Sequence, residues 1–279
     1  MVHRVNNRAS GSQRDLKKSL YSAPSKRNQQ VSIRPIGIVV YDGVELMDLT
    51  GPMEVISLIN ECFLENRIVN VPVYPIQVIA KQPGIVTTSG GIQIYADRAC
   101  RDVDDEIDTL LIPGSNDVDR VLADCALREW VCSMYTRVRR FVSACTGTFL
   151  LAEAGLLDGK RATCHWAYCD RLASDYPLVK IEPERVLLRD GSVLTSAGGQ
   201  PGFDLVLSLV EEDWGSGQAS LIAEYMDAFL RSRGGPSRFQ GFLDGQSTNT
   251  KDYFLTEDFG GDAFRARYSI RRSHLSDRN

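Results

Sequence analysis

The apolar positions of this chain fall into two alternating rhythms. Ile36-Gly-Ile-Val-Val-Tyr41 is a continuous apolar run, as a strand buried on both faces requires. Asp42-Gly43 turns it, and from Gly51-Pro52 the spacing becomes helical through Val55, Ile56, Leu58 and Ile59. The exchange repeats with a strand over 74–80, a hairpin around Gly90-Gly91, and a buried strand over 107–112 that ends in Pro113-Gly114-Ser115-Asn116. Helical spacing follows through Val118, Val121 and Leu122 and again from Trp130 to Val138, and then comes the strand Phe141–Ala144. Beyond it the pattern predicts a helix through Phe149, Leu150, Leu151 and Ala152 that closes at Gly155, and a short run over 161–164. A helix over 166–174 and a hairpin over 186–195, turned by Asp190-Gly191, come next. Two more helices follow, one carrying Leu205, Val206, Leu209 and Val210, the other running from about Gln218 to Leu230. Strands alternating with helices predict an α/β chain with a mainly parallel sheet and right-handed crossovers.

The two ends depart from this rhythm. Residues 1–34 carry eight Lys/Arg against the single acid Asp15 and few large apolar side chains, which reads as a disordered basic tail. Residues 232–279 are glycine-rich with scattered aromatics and a basic end, and read as an irregular C-terminal tail. The folded body is therefore expected over 35–231. The 279 residues are 43% apolar and 24% charged, with a net charge of −4, so the whole chain has no electrostatic footprint for nucleic acid. No apolar run approaches the roughly 20 residues of a membrane-spanning helix. Seven cysteines, an odd number without a Cys-x-x-Cys pair, point to a reducing, cytoplasmic setting.

The chemistry concentrates where the strand Phe141–Ala144 runs into Cys145 and at once into helical spacing. A strand turning straight into a helix, with a nucleophile at the corner, is a nucleophile elbow. Free N–H groups at the helix start favour an anion, so Cys145 is expected to be the most reactive thiol and to titrate below a free one. His165 lies twenty positions on. Two acids, Glu45 and Asp48, fall in the stretch Val44–Thr50 at the C-terminal end of the first strand, where open α/β sheets bind ligands. Cys164 and Cys169 flank His165, but a structural zinc site needs four ligands, and neither a metal nor a cofactor is expected.

Five segments, Met47-Asp-Leu-Thr-Gly-Pro52, Ile112-Pro-Gly114, Ala144-Cys-Thr-Gly147, Ala154-Gly-Leu-Leu-Asp-Gly159 and Ala162-Thr-Cys-His-Trp-Ala167, occur in an order and spacing that resembles the ThiJ/PfpI superfamily. The resemblance covers roughly residues 35–230. It implies the class I glutamine amidotransferase-like fold, a flavodoxin-like three-layer sandwich, and a homodimer. It makes Cys145 the nucleophile or sensing thiol, Asp48 the acid that hydrogen-bonds it, the N–H groups of Gly114 and Thr146 oxyanion donors, and His165 the nearby histidine. Isonitrile hydratases and the N-terminal domains of AraC-type transcriptional regulators resemble this chain in Asp48-Leu-Thr-Gly-Pro52 and Cys145-Thr-Gly147. Val210-Glu-Glu-Asp-Trp-Gly215 and Arg233-Gly-Gly-Pro-Ser-Arg-Phe239 resemble the regulators further. The expectation is therefore a small-molecule-sensing domain of an AraC-type regulator, with a cysteine-dependent isonitrile hydratase-like lyase as the alternative. Because only 40 residues follow Phe239, a complete pair of helix-turn-helix units is not expected, and neither is specific DNA binding.

Overall fold

A computed structural model describes residues 32–65, 70–103, 107–199 and 201–230. Strands β1 (Ile36–Val39), β2 (Ile76–Ala80), β5 (Arg98–Ala99), β6 (Thr109–Ile112), β7 (Arg140–Ala144), β10 (Leu187–Asp190) and β11 (Val193–Ser196) form one sheet in the order β10-β11-β7-β6-β1-β2-β5. Every pairing is parallel except β10 with β11, the hairpin turned at Asp190-Gly191. Strands β3 (Gly84–Thr87) and β4 (Gln93–Ala96) form the other expected hairpin, and β8 (Arg161–Ala162) pairs with β9 (Lys180–Ile181). Strands β1, β6 and β7 are buried along their whole length because helices cover both faces.

On one face lie α1 (Leu46–Glu65), α6 (Pro201–Trp214) and α7 (Ser216–Leu230), with Val55, Ile56, Leu205, Val206 and Ile222 in the core against the sheet. On the other face α2 (Val118–Leu122), α3 (Cys125–Ser133), α4 (Thr148–Glu153) and α5 (Cys169–Asp175) bury Val121, Val131, Phe149, Leu150 and Leu172. This is the three-layer, flavodoxin-like sandwich that the alternation implies. Among the described residues no helix is long and apolar enough to cross a membrane.

Three details depart from the sequence reading. Helix α1 starts at Leu46, not at Gly51, so Asp48 lies in its first turn instead of capping it. Pro52 has no N–H to return to the Asp48 carbonyl, yet the helix runs through it, with the Thr50 hydroxyl donating to Leu46 O at 2.9 Å. Helix α3 starts earlier than Trp130, because the Asp124 side chain accepts from Leu127 N and caps it at that point. The homodimer that the resemblance implies does not use Ile222 of α7, which is buried in the chain's own core with the partly buried Leu221 packed against that core. The side chains of Tyr225 and Phe229 lie outside the described residues, as do both tails apart from residues 32–34.

The N-terminal edge of the sheet holds an ion cluster. Arg140, 1% exposed at the start of β7, donates from Nε to Thr109 Oγ1 at 2.7 Å and from Nη2 to Asp213 Oδ2 at 2.6 Å. Its Nη1 reaches Glu212 Oε2 at 3.1 Å. Arg139 bonds Asp108 and Asp213, each at 2.8 Å, Arg189 bonds Glu212, and Arg34 sits 3.6 Å from Asp108 and Asp213. Trp214 Nε1 donates to Tyr74 OH, which donates to Asp213 Oδ2, both at 2.8 Å. Glu212, Asp213 and Trp214 of α6 thus belong to this cluster. Arg34, counted with the tail by composition, belongs to the folded body.

Candidate active site

At the opposite, C-terminal edge the chain reverses at Cys145. Its φ is +56°, and it is the one non-glycine with positive φ among the described residues. Holding a side chain there costs about 1–3 kcal/mol, which the surroundings must enforce. A single helical turn over 145–147 leads into α4. A Cβ on Gly147 would lie 2.3 Å from Ile112 O, so only glycine lets the turn pack on the end of β6. The Thr146 hydroxyl donates to Ser115 O at 2.7 Å and accepts from Ser115 N at 2.8 Å, which laces the elbow to the loop after β6. Thr148 Oγ1 lies 2.9 Å from Ser143 Oγ and donates to Thr163 O at 3.1 Å.

Three other loops close on the thiol. After β1, Val44 makes an antiparallel bridge with Ser115 and Glu45 N donates to Gly114 O at 2.9 Å, which brings the Glu45 carboxylate Oε2 to 3.6 Å from Cys145 Sγ. Asp48, fully buried, accepts from Gly114 N at 3.1 Å on Oδ2 and from Gly199 N at 2.6 Å on Oδ1. One carboxylate thereby ties the loops after β6 and β11 to the first turn of α1. Both loops need glycine next to the nucleophile. A Cβ on Gly114 would sit 2.7 Å from Cys145 Cβ, and one on Gly198 (φ +84°) 2.2 Å from it.

The electrostatics follow from this packing. Burial is the largest influence on the Cys145 thiol and raises its pKa well above the free value; the Asp48 and Glu45 charges add to it, and the Thr146 N–H opposes them. The expected acidic thiol is thereby corrected. Desolvation and two carboxylates outweigh one N–H and the dipole of a six-residue helix. Burial also raises Glu45, helped by the Asp48 charge, while the hydrogen bond with Cys145 pulls it down. Asp48 is raised by burial against the opposing N–H bonds of Gly199 and Gly114. The resting site thus holds a neutral thiol beside two carboxyl groups whose pKa values burial raises.

The sequence-chosen residues fare unequally. Cys145 and Asp48 are brought together. The Thr146 N–H faces the sulfur, but the Gly114 N–H is taken by Asp48 and is not free to meet an oxyanion. His165 makes no hydrogen bond to Cys145. Its Nδ1 accepts from Ala167 N at 3.3 Å, and its ring packs on Trp166 and Tyr168 with centroids 5.4 and 5.8 Å away. Burial lowers its pKa, against a pull from the Asp48 charge. Glu45, which the sequence places at the ligand-binding end of the first strand without giving it a role, contacts the thiol, and the Gly198-Gly199 pair joins the site although the sequence reading did not name it. The signal lay in a glycine pair following a strand, Ser196-Ala-Gly-Gly199. Ligand atoms of Glu45, Asp48 and Cys145 lie within 4.8 Å of one another, a spacing that suits a cation. Both Asp48 oxygens already accept backbone N–H bonds, which fits a hydrogen-bonded carboxylate better than a metal ligand.

This geometry has relatives. Isonitrile hydratase of Pseudomonas putida is 32% identical over 187 residues, covering 67% of this chain and 75% of that protein. The HTH-type transcriptional regulator CdhR of Pseudomonas aeruginosa is 30% identical over 172 residues, and the chain spans 50% of that regulator's length. Among solved structures, a THiJ/PfpI family protein from Pseudomonas syringae superposes with a TM-score of 0.62 at 22% identity, over 81% of this chain and 91% of that one. An AraC family transcriptional regulator from Pseudomonas putida superposes with a TM-score of 0.54 at 19% identity, over 69% of this chain and 99% of that one; at these identities both show the shared fold. The DJ-1/PfpI family profile matches residues 34–212, the stretch that carries the sheet, the elbow and its three partner loops, and the chain belongs to that family.

Proposed function

We propose that the site adds its thiol to a small uncharged electrophile, an isonitrile, and releases an N-formamide. The observation that carries the reading is the contact of the Cys145 thiol with Glu45 at 3.6 Å, beside Asp48 and with no arginine or lysine bonded to any of the three among the described residues. A nucleophile kept neutral at rest suits a substrate that needs both sulfur and a proton. Cys145 passes its proton to Glu45 as sulfur bonds to the terminal carbon of R–N≡C. That carbon takes the proton back, giving the thioimidate R–N=CH–S–Cys145. Water then adds to the carbon while a carboxylate takes its proton, nitrogen is protonated, the C–S bond breaks, and R–NH–CHO leaves with the thiol restored. Carboxyl groups with raised pKa values serve both directions of this proton traffic. Asp48 holds Gly114 and Gly199 in place and keeps Glu45 protonatable. Incubation with an alkyl isonitrile tests the reading: formamide production that disappears in Cys145→Ala supports it, and its absence in the unaltered chain removes it.

A second reading is favoured by the half-length matches to regulators: the same pocket senses a small metabolite within an AraC-type regulator. The reading requires saturable ligand binding without turnover, and a mobility shift on the protein's own upstream DNA at physiological salt tests specific binding, which we do not expect. The homodimer is likewise a proposal, and a monomer by light scattering at micromolar concentration ends it.

A further inference from the structure

Apart from Cys145, the described residues hold a second sulfur centre. Cys164 follows β8 and Cys169 opens α5, and their Sγ atoms lie 3.5 Å apart. The two residues are 1% and 4% exposed, packed in the core beneath α4. Between them in sequence the chain makes one helical turn over 166–168, whose Trp166 and Ala167 are exposed. The Cys164 thiol is directed at His165 O at 3.5 Å, and the Cys169 thiol at Cys164 O at 3.7 Å and His165 O at 3.6 Å. Both sulfurs therefore meet the His165 carbonyl and are already in van der Waals contact with each other. A disulfide needs them at about 2 Å.

We propose that Cys164 and Cys169 are a peroxide-oxidised dithiol, forming an intramolecular disulfide beneath the segment that carries His165 and Trp166. Sulfur of Cys169 attacks one oxygen of a hydroperoxide; the O–O bond breaks, and sulfenic acid and water or an alcohol result. Sulfur of Cys164 then attacks the sulfenic sulfur, the S–O bond breaks, and hydroxide leaves with the Cys164 proton as water. The two thiols lose two protons and two electrons, and the peroxide is reduced. Cys169 takes the first step because the hydrogen bond from Cys164 lowers its thiol below the free value, whereas the same contact and burial raise Cys164. Oxidation removes the thiol contacts to His165 O and leaves it the N–H of Tyr168 at 2.8 Å. This inference does not depend on what Cys145 binds.

Trypsin makes the test clean, since residues 162–171 form one peptide with both cysteines, and Cys145 falls in the peptide 141–160. Brief treatment with hydrogen peroxide, then iodoacetamide, is expected to yield a 162–171 peptide two hydrogens lighter. Its alkylation should fall by about tenfold or more and return with dithiothreitol. Cys145→Ala is expected to give the same product, which separates this centre from the elbow. Cys164→Ser and Cys169→Ser keep a hydroxyl donor to the carbonyls, and each should abolish the light peptide. Three results overturn the proposal: a 141–160 peptide bridged to 162–171, both cysteines still alkylated after peroxide has oxidised Cys145, or loss of the light peptide in Cys145→Ala.

Discussion

At the N-terminal edge of the sheet Arg140 is buried among Asp108, Glu212 and Asp213, and each of these acids also meets a second arginine. At the C-terminal edge Asp48 is as deeply buried, next to Glu45 and Cys145, and none of the three bonds a guanidinium or ammonium among the described residues. One sheet thus buries charge in two ways. The first end matches each acid with cations and fixes where β1, β6, β7 and α6 meet. The second end keeps like-signed acids, a strained cysteine and two glycines forced into contact with it. Such an arrangement lowers stability and is typical of functional sites, so the contrast supports reading the first end as the one that holds the fold and the second as the one that carries the proposed chemistry.

The largest effect that can break this contrast is at Arg140. Arg140→Met leaves Asp213 buried with fewer partners, and is expected to cost about 3–5 kcal/mol of stability. Cys145→Ala, at the other end, is expected to change stability by about 1 kcal/mol or less while abolishing turnover. Thermal unfolding of both variants, with formamide assays on the folded material, checks the pair. Similar destabilisation by both would erase the distinction between the ends.

Glu45→Gln comes next in size. It removes the proton acceptor of the thiol and one of the two charges that raise the Cys145 pKa. Turnover is expected to fall by about 10²-fold or more. Alkylation of Cys145 at fixed neutral pH should instead become faster, because less charge opposes the thiolate. A variant that loses both activity and thiol reactivity would point to a collapsed pocket.

Much of this contrast was legible in the sequence and part of it was not. The run Phe141–Ala144 leading into Cys145, the Asp190-Gly191 hairpin and the helical spacing of α6 are local signals, and the structure follows them. The placement of Glu45 is set by the Val44–Ser115 bridge and by a thiol 100 positions away, so no local pattern carries it. The direction of the Cys145 shift was missed for the same reason: helix-terminus reasoning sees the N–H groups next in sequence, not carboxylates delivered from another strand. His165 sits at a plausible spacing, yet its ring is engaged by Ala167, Trp166 and Tyr168.

The two ends should also answer pH with opposite sign. Burial raises Asp204, in the first turn of α6, to about 7, and its Oδ1 has no hydrogen-bond partner. The folded chain then binds a proton that the unfolded chain has released, so this group's contribution is fully present below the ordinary carboxylate range and is lost as pH rises through about 7. At the other edge burial acts to raise Asp108 and Glu212, but arginine hydrogen bonds and charges outweigh it and hold both below their usual values. Their contribution is present at neutral pH and is lost as pH falls below the ordinary carboxylate range. Asp204→Asn is therefore expected to gain about 1–3 kcal/mol at pH 8 and almost nothing near pH 4. Melting curves at the two pH values test it, and an equal gain at both would show that charge is not what Asp204 costs.

The smallest effect marks where the working end stops. Gly51 belongs to the Asp-Leu-Thr-Gly-Pro segment, one helical turn after Asp48, and by sequence looks as constrained as Gly114 and Gly198. The structure separates them. A Cβ on Gly114 or Gly198 would drive into Cys145, whereas one on Gly51 would meet the Phe203 ring at 3.6 Å, an ordinary contact. Gly51 also lies inside α1, where glycine is about 1 kcal/mol worse than alanine as a helix former. Gly51→Ala is thus expected to stabilise the chain by about 0.4–1 kcal/mol, partly by restricting the unfolded state, and to leave turnover unchanged. Gly198→Ala should fail on both counts, since positive φ and the clash coincide. If Gly51→Ala lowers turnover while raising the melting temperature, the contact between α1 and α6 sets the position of Asp48, and the catalytic end extends one turn deeper into the fold than its hydrogen bonds indicate.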